Sequence, residues 1–186
     1  MRSELGIYTP LGLDGYELCH PVRQDDFETI NVELNGAPRQ SSWKPISMRL
    51  IREDEGQKLA MSDSPWLGAH ALIFRANAVE ALGPMLREGG ELLPLACAEA
   101  DVAVYNATRV IDALDEAASS VLRFGGGRIM MIQRHVFRAE LINEVDVFKI
   151  PNLRVSPTFV SHRFVERWKA SELKGLEFRQ VWAPPN

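Results

Sequence analysis

Apolar residues along this chain alternate with polar ones or occur in short runs bounded by turn residues. Ile46, Met48 and Leu50 alternate with polar neighbours, which is the period-two pattern of a strand with one buried face. Similar segments predict strands at residues 4–8, 16–20, 71–74, 92–96, 102–105, 145–150, 155–160 and 176–182. The strongest strand signal lies at 129–137, and its nearly continuous apolar character predicts a central strand covered on both faces.

Other segments carry helix signals. Asp25 and Asp26 suit the first turn of a short helix, where carboxylates are favourable. A second helix is predicted to start at Asn77 as its N-cap, to be short or kinked because of Pro84, and to end at Gly89-Gly90.

Two further helices are predicted in the C-terminal half. Val110, Ile111, Leu114, Ala118 and Val121 recur at helical spacing, which predicts a helix over residues 108–121. Ser161 can cap a last helix, and Gly175 suits its C-terminal end. In the strand that follows, Phe178 and Trp182 fall on one face, so we expect this strand to belong to the core.

Strands outnumber helices, and most connections between strands are too short for helical crossovers. The expected fold class is therefore α+β, with a mainly antiparallel sheet and a few short helices packed on it. The chain has 186 residues and carries no internal repeat or linker, so we expect one domain spanning residues 1–186.

Composition excludes several functional classes. The net charge is −4 and no basic stripe is present, so direct nucleic-acid binding is not expected. No apolar run has the length of a signal peptide or a membrane span, which predicts a cytoplasmic protein without membrane contact. Cys19 and Cys97 are then expected to be reduced thiols.

The sequence shows little sign of catalytic chemistry. Its four histidines are scattered, and no His or Cys pair has metal-ligand spacing, so no metal, cofactor or catalytic residue is predicted. Glycines 125–127 lack the Lys-Ser/Thr ending and the helix of a phosphate loop, which indicates a flexible connection. A small enzyme whose site is assembled from distant residues stays an alternative.

Four residues are candidates for partner binding. Asp112, Asp115 and Glu116 form a dense acidic cluster, which fits a solvated helix face, a partner-binding patch or, less well, a catalytic carboxylate group. Charge reversal at Asp112 and Glu116 is expected to leave stability nearly unchanged, whereas Asp115 would matter more if it braces a turn. Trp66 lies in a loop, where an aromatic residue can anchor an interface or simply pack against the core.

Several short phrases, taken in their order along the chain, carry a family resemblance. They are Ser64-Pro-Trp-Leu67, Glu91-Leu-Leu-Pro-Leu95, residues 105–115, His135-Val-Phe137, residues 147–150, residues 159–164, Gly175-Leu-Glu-Phe178 and Val181-Trp182. This order resembles the bacterial polymorphic-toxin immunity proteins, formerly catalogued as a domain of unknown function. The resemblance is clearest over residues 43–186.

The resemblance implies a small α+β protein that is encoded beside a toxin, often a nuclease, and neutralises it by binding. The expected mechanism is steric and electrostatic occlusion, in which a negative patch replaces nucleic-acid phosphates on the toxin. The resemblance supplies no catalytic residues. It also implies an extended chain after Asp115, where periodicity predicts a helix. A structural or regulatory module that dimerises through a sheet edge stays a further alternative, and the oligomeric state is left open.

Overall fold

The structure is a computed structural model that describes residues 5–153 and 155–185. Within these ranges there are four α-helices: α1 (Asp26–Glu33), α2 (Ala76–Gly89), α3 (Ala139–Ile142) and α4 (His162–Ala170). The same ranges contain fourteen strands: β1 (Ile7–Gly12), β2 (Leu18–Pro21), β3 (Ser47–Ile51), β4 (Glu53–Asp54), β5 (Gln57–Lys58), β6 (Ile73–Arg75), β7 (Gly90–Pro94), β8 (Ala96–Cys97), β9 (Val102–Ala107), β10 (Ser120–Arg123), β11 (Ile129–Arg134), β12 (Val147–Phe148), β13 (Phe159–Ser161) and β14 (Leu176–Trp182).

The strands form several small sheets, and nearly all of their pairings are antiparallel. The largest sheet has the order β12-β13-β1-β14, and a second has the order β6-β9-β7. A third, β2-β3-β8, is mixed because β3 and β8 run parallel. The pairs β4-β5 and β10-β11 are separate hairpins. The predicted α+β class, mainly antiparallel with helices packed on the sheets, is confirmed.

Helix α2 packs at the centre of the first hydrophobic core. Its buried residues Ala78, Leu82 and Leu86 recur every four positions, and this stripe meets the buried face of α4. The C-terminal end of α2 lies very close to β9. A Cβ on Gly89 would come 2.8 Å from the Tyr105 hydroxyl, which donates a hydrogen bond of 2.9 Å to the Leu86 carbonyl. Glycine is therefore required by this close approach.

A second core lies under the C-terminal sheet and is rich in aromatic rings. The Phe137 and Phe159 ring centroids are 5.3 Å apart, and those of Phe137 and Trp182 are 5.9 Å apart, both pairs with an edge-to-face geometry. His135 joins the cluster at 5.7 Å from Phe137 and from Phe159. Burial, with a smaller effect from the charge of Arg179, lowers the pKa of His135 to about 4.

Two predicted helix boundaries differ from the structure. Helix α2 begins at Ala76, so Asn77 is not its N-cap; the Asn77 amide instead donates to Asp63 at 2.5 Å. The helix continues through Pro84, because this proline lies on the exposed face, where solvent can satisfy the unpaired carbonyl. Helix α4 is capped by Ser161 as predicted, with its Oγ accepting from the Phe164 N–H at 3.2 Å. It ends at Ala170, so Gly175 is not its C-cap and lies in the turn before β14.

The helix predicted over residues 108–121 is wrong. The chain instead runs extended from Arg109 to Asp115, turns at 116–119 and enters β10 at Ser120. The family resemblance implies an extended chain after Asp115, and β10 provides it once the turn is complete. Ala113 and Leu114 are both buried, and the backbone on either side of them pairs with other segments of the chain. Pairing with distant segments has replaced the local helical hydrogen bonds.

The central strand predicted at residues 129–137 is also wrong. Strand β11 covers only Ile129–Arg134 and pairs along its length with β10 in a hairpin. Met130 and Met131 are about half exposed, at 48% and 49%. The predicted strands at 145–150 and 155–160 are shorter than expected, and the N-terminal strand begins at Ile7, while the predicted start at Glu4 lies outside the described residues.

The last strand belongs to the core, but Phe178 and Trp182 do not share a face as predicted. The register shifts between Gln180 and Trp182, so that Trp182 packs in the aromatic core while Phe178 packs against the core around α2. Phe178 provides the test. Its half-buried ring packs edge-on against Phe164 and Trp168, at centroid distances of 6.1 and 5.7 Å. We expect Phe178→Ala to lower the free energy of unfolding by about 2–3 kcal/mol, less than for a fully buried ring. Glu177→Ala, at the exposed neighbouring position, is the matched control and should change it by less than about 0.5 kcal/mol. Equal urea midpoints for the two variants would contradict this packing.

The depressed pKa of His135 predicts acid sensitivity. The pKa of His135 is about 4 in the folded chain and about 6.5 in the unfolded chain. As the pH falls from 6.5 to 4, the imidazole is therefore protonated in the unfolded chain but not in the folded one. Stability is therefore lost between about pH 6.5 and 4. His135→Phe keeps an aromatic ring at this position and removes the titrating group. The decrease in unfolding free energy between pH 6.5 and 4, measured by urea unfolding at each pH, should therefore be about 1–3 kcal/mol smaller in this variant. Parallel pH curves for wild type and variant would show that His135 titrates normally.

Candidate partner-binding surface

The extended segment 109–115, which leads into the turn at Glu116, is hydrogen-bonded on both sides. Near its start, the Ile111 N–H donates to the Lys149 carbonyl at 2.8 Å, and the Lys149 N–H donates to the Arg109 carbonyl at 2.9 Å. Near its end, the Asp115 N–H donates to the Val136 carbonyl at 2.9 Å. These pairings bury Ala113 and leave Asp112 exposed. The segment is thus a rigid support for its acidic side chains.

Lys149 fixes the start of this segment through an unusual buried ammonium group. Its Nζ donates to the Leu34 carbonyl at 2.7 Å and to the His70 carbonyl at 2.9 Å. Burial lowers the pKa of Lys149 to about 8, and burial together with the Lys149 charge lowers the pKa of His70 to about 4. These contacts join α1, the loop before β6 and the end of β12, so their role is structural.

The three predicted acidic residues lie together at an open surface cleft of about 350 Å³. The cleft combines them with residues from facing segments, and its lining is Asp112, Leu114, Asp115, Glu116, Arg138 and Asn152. The sequence prediction grouped the acids correctly but missed the basic and amide side chains among them. Arg138 and Asn152 are distant in sequence, so no local signal marked them.

Each carboxylate of the cleft has a different environment. Asp112 makes an exposed ion pair of 3.4 Å with Arg138, which is the weakly stabilising kind. Glu116 accepts hydrogen bonds from Arg123 and Asn152. The Arg123 guanidinium, with the Asn152 amide in support, lowers the pKa of Glu116 below its ordinary value. Glu116 is therefore an ionised and fixed group, a role that the sequence did not indicate.

Asp115 braces the turn that follows it. Its Oδ1 accepts from the Ala117 and Ala118 N–H groups, both at 3.1 Å. This is an Asx-type turn. The other carboxylate oxygen, Oδ2, forms no hydrogen bond with the described residues, so it can contact a partner. Three carboxylates and the guanidinium groups of Arg123 and Arg138 give the cleft region a net charge of −1.

Trp66 lies at a separate place in the fold and is half-buried. Its ring covers Gly12 so closely that a Cβ there would come 2.5 Å from Trp66 Cγ. Its carbonyl accepts from the Cys19 N–H at 3.0 Å, and its side chain packs against the core around α2. It does not line the acidic cleft. A packing role is thus evident, and its interface role stays a prediction.

A buried ion pair near Trp66 was also missed by sequence reasoning. Glu17 is buried, forms ion pairs with Arg75 and, at 3.4 Å, with Arg52, and accepts a hydrogen bond of 3.2 Å from the Ser62 N–H. Arg75 also donates to the Ser62 carbonyl at 2.8 Å. This network holds the loop of residues 62–66 against the core and offers a partner no exposed charge from Glu17.

The described ranges also bear on three other kinds of function, which are metal binding, thiol chemistry and membrane insertion. No group of three or more His, Cys, Asp and Glu side chains is placed there to hold a metal ion. Cys19 and Cys97 are both free thiols, and burial raises the pKa of Cys19 to about 12. None of the helices in these ranges is both long and apolar enough to cross a membrane.

Comparison with known proteins identifies a related family for the part of the chain that contains the cleft. Residues 100–183 match the immunity protein family Imm11. This match confirms the resemblance to immunity proteins over a little less than half of the chain, including the acidic cleft and the β10-β11 hairpin. No curated protein matches the chain significantly.

The turn at Asp115 generates a stability prediction. Asp115→Ala removes the acceptor of two backbone N–H groups and should lower the free energy of unfolding by about 1 kcal/mol. Asp115→Asn keeps the side-chain oxygen and should lower it by less than about half of that. Asp112→Asn, in an exposed ion pair, is a second control with little expected effect. Chemical denaturation of the four proteins measures these differences. Equal stability of the Ala and Asn variants at position 115 would contradict the bracing role.

Proposed function

We propose that this chain is an immunity protein that binds a cognate bacterial toxin and blocks it by steric and electrostatic occlusion. The observation that carries the proposal is the Imm11 match over residues 100–183, because the same residues build the acidic cleft. The partner we propose is the toxin domain of a polymorphic secreted protein encoded next to this chain. The complex would form in the cytoplasm, before the toxin harms its producer or its kin.

The acidic cleft supports the electrostatic part of this function. Asp112 is paired with Arg138 only through an exposed contact, so a lysine or arginine of a partner can replace that pairing at low cost. Glu116 is held ionised by Arg123 and Asn152, and it therefore needs no rearrangement before binding. Asp115 keeps one carboxylate oxygen beyond the turn that it braces. A fixed negative surface of this kind favours fast association.

A nuclease is the toxin class that best complements this surface. Nucleases bind phosphates with basic side chains, and the carboxylates of the cleft would occupy the positions of those phosphates. The net charge of −1 at the cleft is small because Arg123 and Arg138 offset part of it. Electrostatics should therefore speed association and set orientation, while apolar contacts supply most of the affinity. Trp66 is a further proposed contact, through the exposed part of its ring.

The electrostatic role can be tested with the toxin domain encoded by the neighbouring gene. Asp112→Lys reverses an exposed charge, so we expect the melting temperature to change little and the stability by less than about 0.5 kcal/mol. The association rate should fall about threefold to tenfold at about 20 mM salt, and by much less at about 300 mM. Glu116 is left unchanged in this test, because its carboxylate is less exposed than that of Asp112 and accepts hydrogen bonds from both Arg123 and Asn152. Surface-based kinetics with the two purified proteins gives the rates.

A charge reversal elsewhere separates a local effect from a change in net charge. Glu53→Lys lies in the exposed β4-β5 hairpin and is the matched control. It should leave the association rate almost unchanged. Equal slowing by both variants would assign the effect to net charge alone. The absence of any complex between the wild-type chain and the toxin domain, together with no protection of cells that express that domain, would contradict the proposed function itself.

A further inference from the structure

The β10-β11 hairpin has two apolar faces, and the other described residues cover only one of them. Val121, Ile129 and Ile132 pack on the aromatic core. On the other side, Leu122 and Met131 form a cross-strand pair and remain 37% and 49% exposed. Phe124 and Met130 add to this exposed set, at 45% and 48%. Clusters of exposed apolar residues in a folded chain mark contact surfaces, and methionine adapts readily to a partner.

Three glycines form the tip of the hairpin, and the conformation of the folded chain accounts for only one of them. Gly127 has φ +83°, a conformation that favours glycine, and its N–H donates to the Phe124 carbonyl at 2.9 Å. Gly125 and Gly126 are outside the left-handed region, and a Cβ on either would meet nothing within 4 Å. Glycine increases the entropy cost of folding relative to alanine. Close approach by a second molecule is a physical reason for small residues at these two positions.

The hairpin is also the basic side of the candidate surface. Residues 117–138 contain four arginines and no acidic residue. Arg123 pairs with Glu116 and Arg138 with Asp112, while Arg134 donates to the Ala118 carbonyl at 2.7 Å. Arg128 is exposed beside the tip and lines an open cleft with Glu28 of α1, but its guanidinium forms no ion pair or hydrogen bond with the described residues. Its charge is therefore available to a partner.

We propose that the hairpin, residues 122–131, inserts its tip into a cleft of the toxin domain that has apolar walls and carboxylates at its base. The partner identity rests on the proposed function. The chemistry of the toxin's cleft follows from the hairpin of this chain. Burial of the exposed Phe124 and Met131 calls for apolar walls, and the guanidinium of Arg128 calls for an anion. Gly125 and Gly126 allow the two backbones to approach.

This arrangement gives the complex a defined orientation. Glu116 and Arg123 connect the acidic cleft directly to the basic hairpin. A matching toxin surface is therefore basic where it meets the cleft and acidic where it receives the tip. Opposite charges at two neighbouring points exclude the reversed docking, because like charges would then face each other.

Bulky substitutions at the tip test the insertion, because the free chain has room for them. Gly126→Trp should leave the melting temperature within about one degree of wild type, since nothing lies within 4 Å of the added Cβ. Binding to the toxin domain encoded beside this chain should weaken by at least about 100-fold, measured by titration calorimetry. Gln57→Trp, in the other exposed hairpin, is the matched control and should bind like wild type. Arg128→Glu should weaken binding by about tenfold or more, most strongly at low salt.

The outcomes separate this inference from the proposed function. Wild-type-like binding of Gly126→Trp and Arg128→Glu, combined with slowed association of Asp112→Lys, would overturn the insertion and leave the immunity function standing. A wild-type chain that does not bind the toxin domain would overturn both. Sedimentation velocity that shows a dimer lost in Gly126→Trp would assign the hairpin to a second copy instead. Binding of a short DNA duplex that is lost in Arg128→Glu would assign it to nucleic acid. Either result overturns the inference.

Discussion

Residues 109–115 connect the buried strand β9 to the exposed hairpin, and the candidate surface depends on how tightly they are held. Backbone hydrogen bonds to Lys149 on one side and Val136 on the other fix the segment in an extended form. Between these contacts, Ala113 and Leu114 are buried, which forces Asp112 outward and aligns the following carboxylates around one cleft. The buried ammonium of Lys149 strengthens this support by donating to carbonyls of two other segments. A charged surface is thereby built on a rigid backbone.

The two parts of the surface have complementary physical roles. The acidic cleft is polar, open and partly neutralised, so it contributes orientation and association rate more than affinity. The hairpin presents apolar side chains, a free guanidinium and a slender glycine tip, which are suited to burial in a partner. Arg123 belongs to both parts, because it pairs with Glu116 while its backbone forms the end of β10. Both parts fall within the residues that match Imm11.

Sequence patterns predicted those elements whose burial follows from local periodicity. The alternation in β3, the cap at Ser161 and the fold class all belong to this group. The helix prediction for residues 108–121 was wrong because the backbone of this segment pairs with residues 136 and 149, and such distant pairing leaves no local signal. The prediction of a central strand at 129–137 was wrong because the apolar composition of a strand does not show whether other parts of the same chain cover it. Adjacency in sequence revealed the acidic cluster, but Arg138 and Asn152 join it only through the fold.

Hydrogen–deuterium exchange of this chain, alone and with the toxin domain encoded beside it, tests whether the acidic cleft and the hairpin form the binding surface. We expect slower exchange in the complex over residues 112–134, which include the acidic cleft and the hairpin, and unchanged exchange in the β4-β5 hairpin. Gly125 and Gly126 are exposed in the free chain, so their backbone amides should show the largest change. Protection confined to other segments, with 112–134 exchanging as in the free chain, would place the binding surface elsewhere.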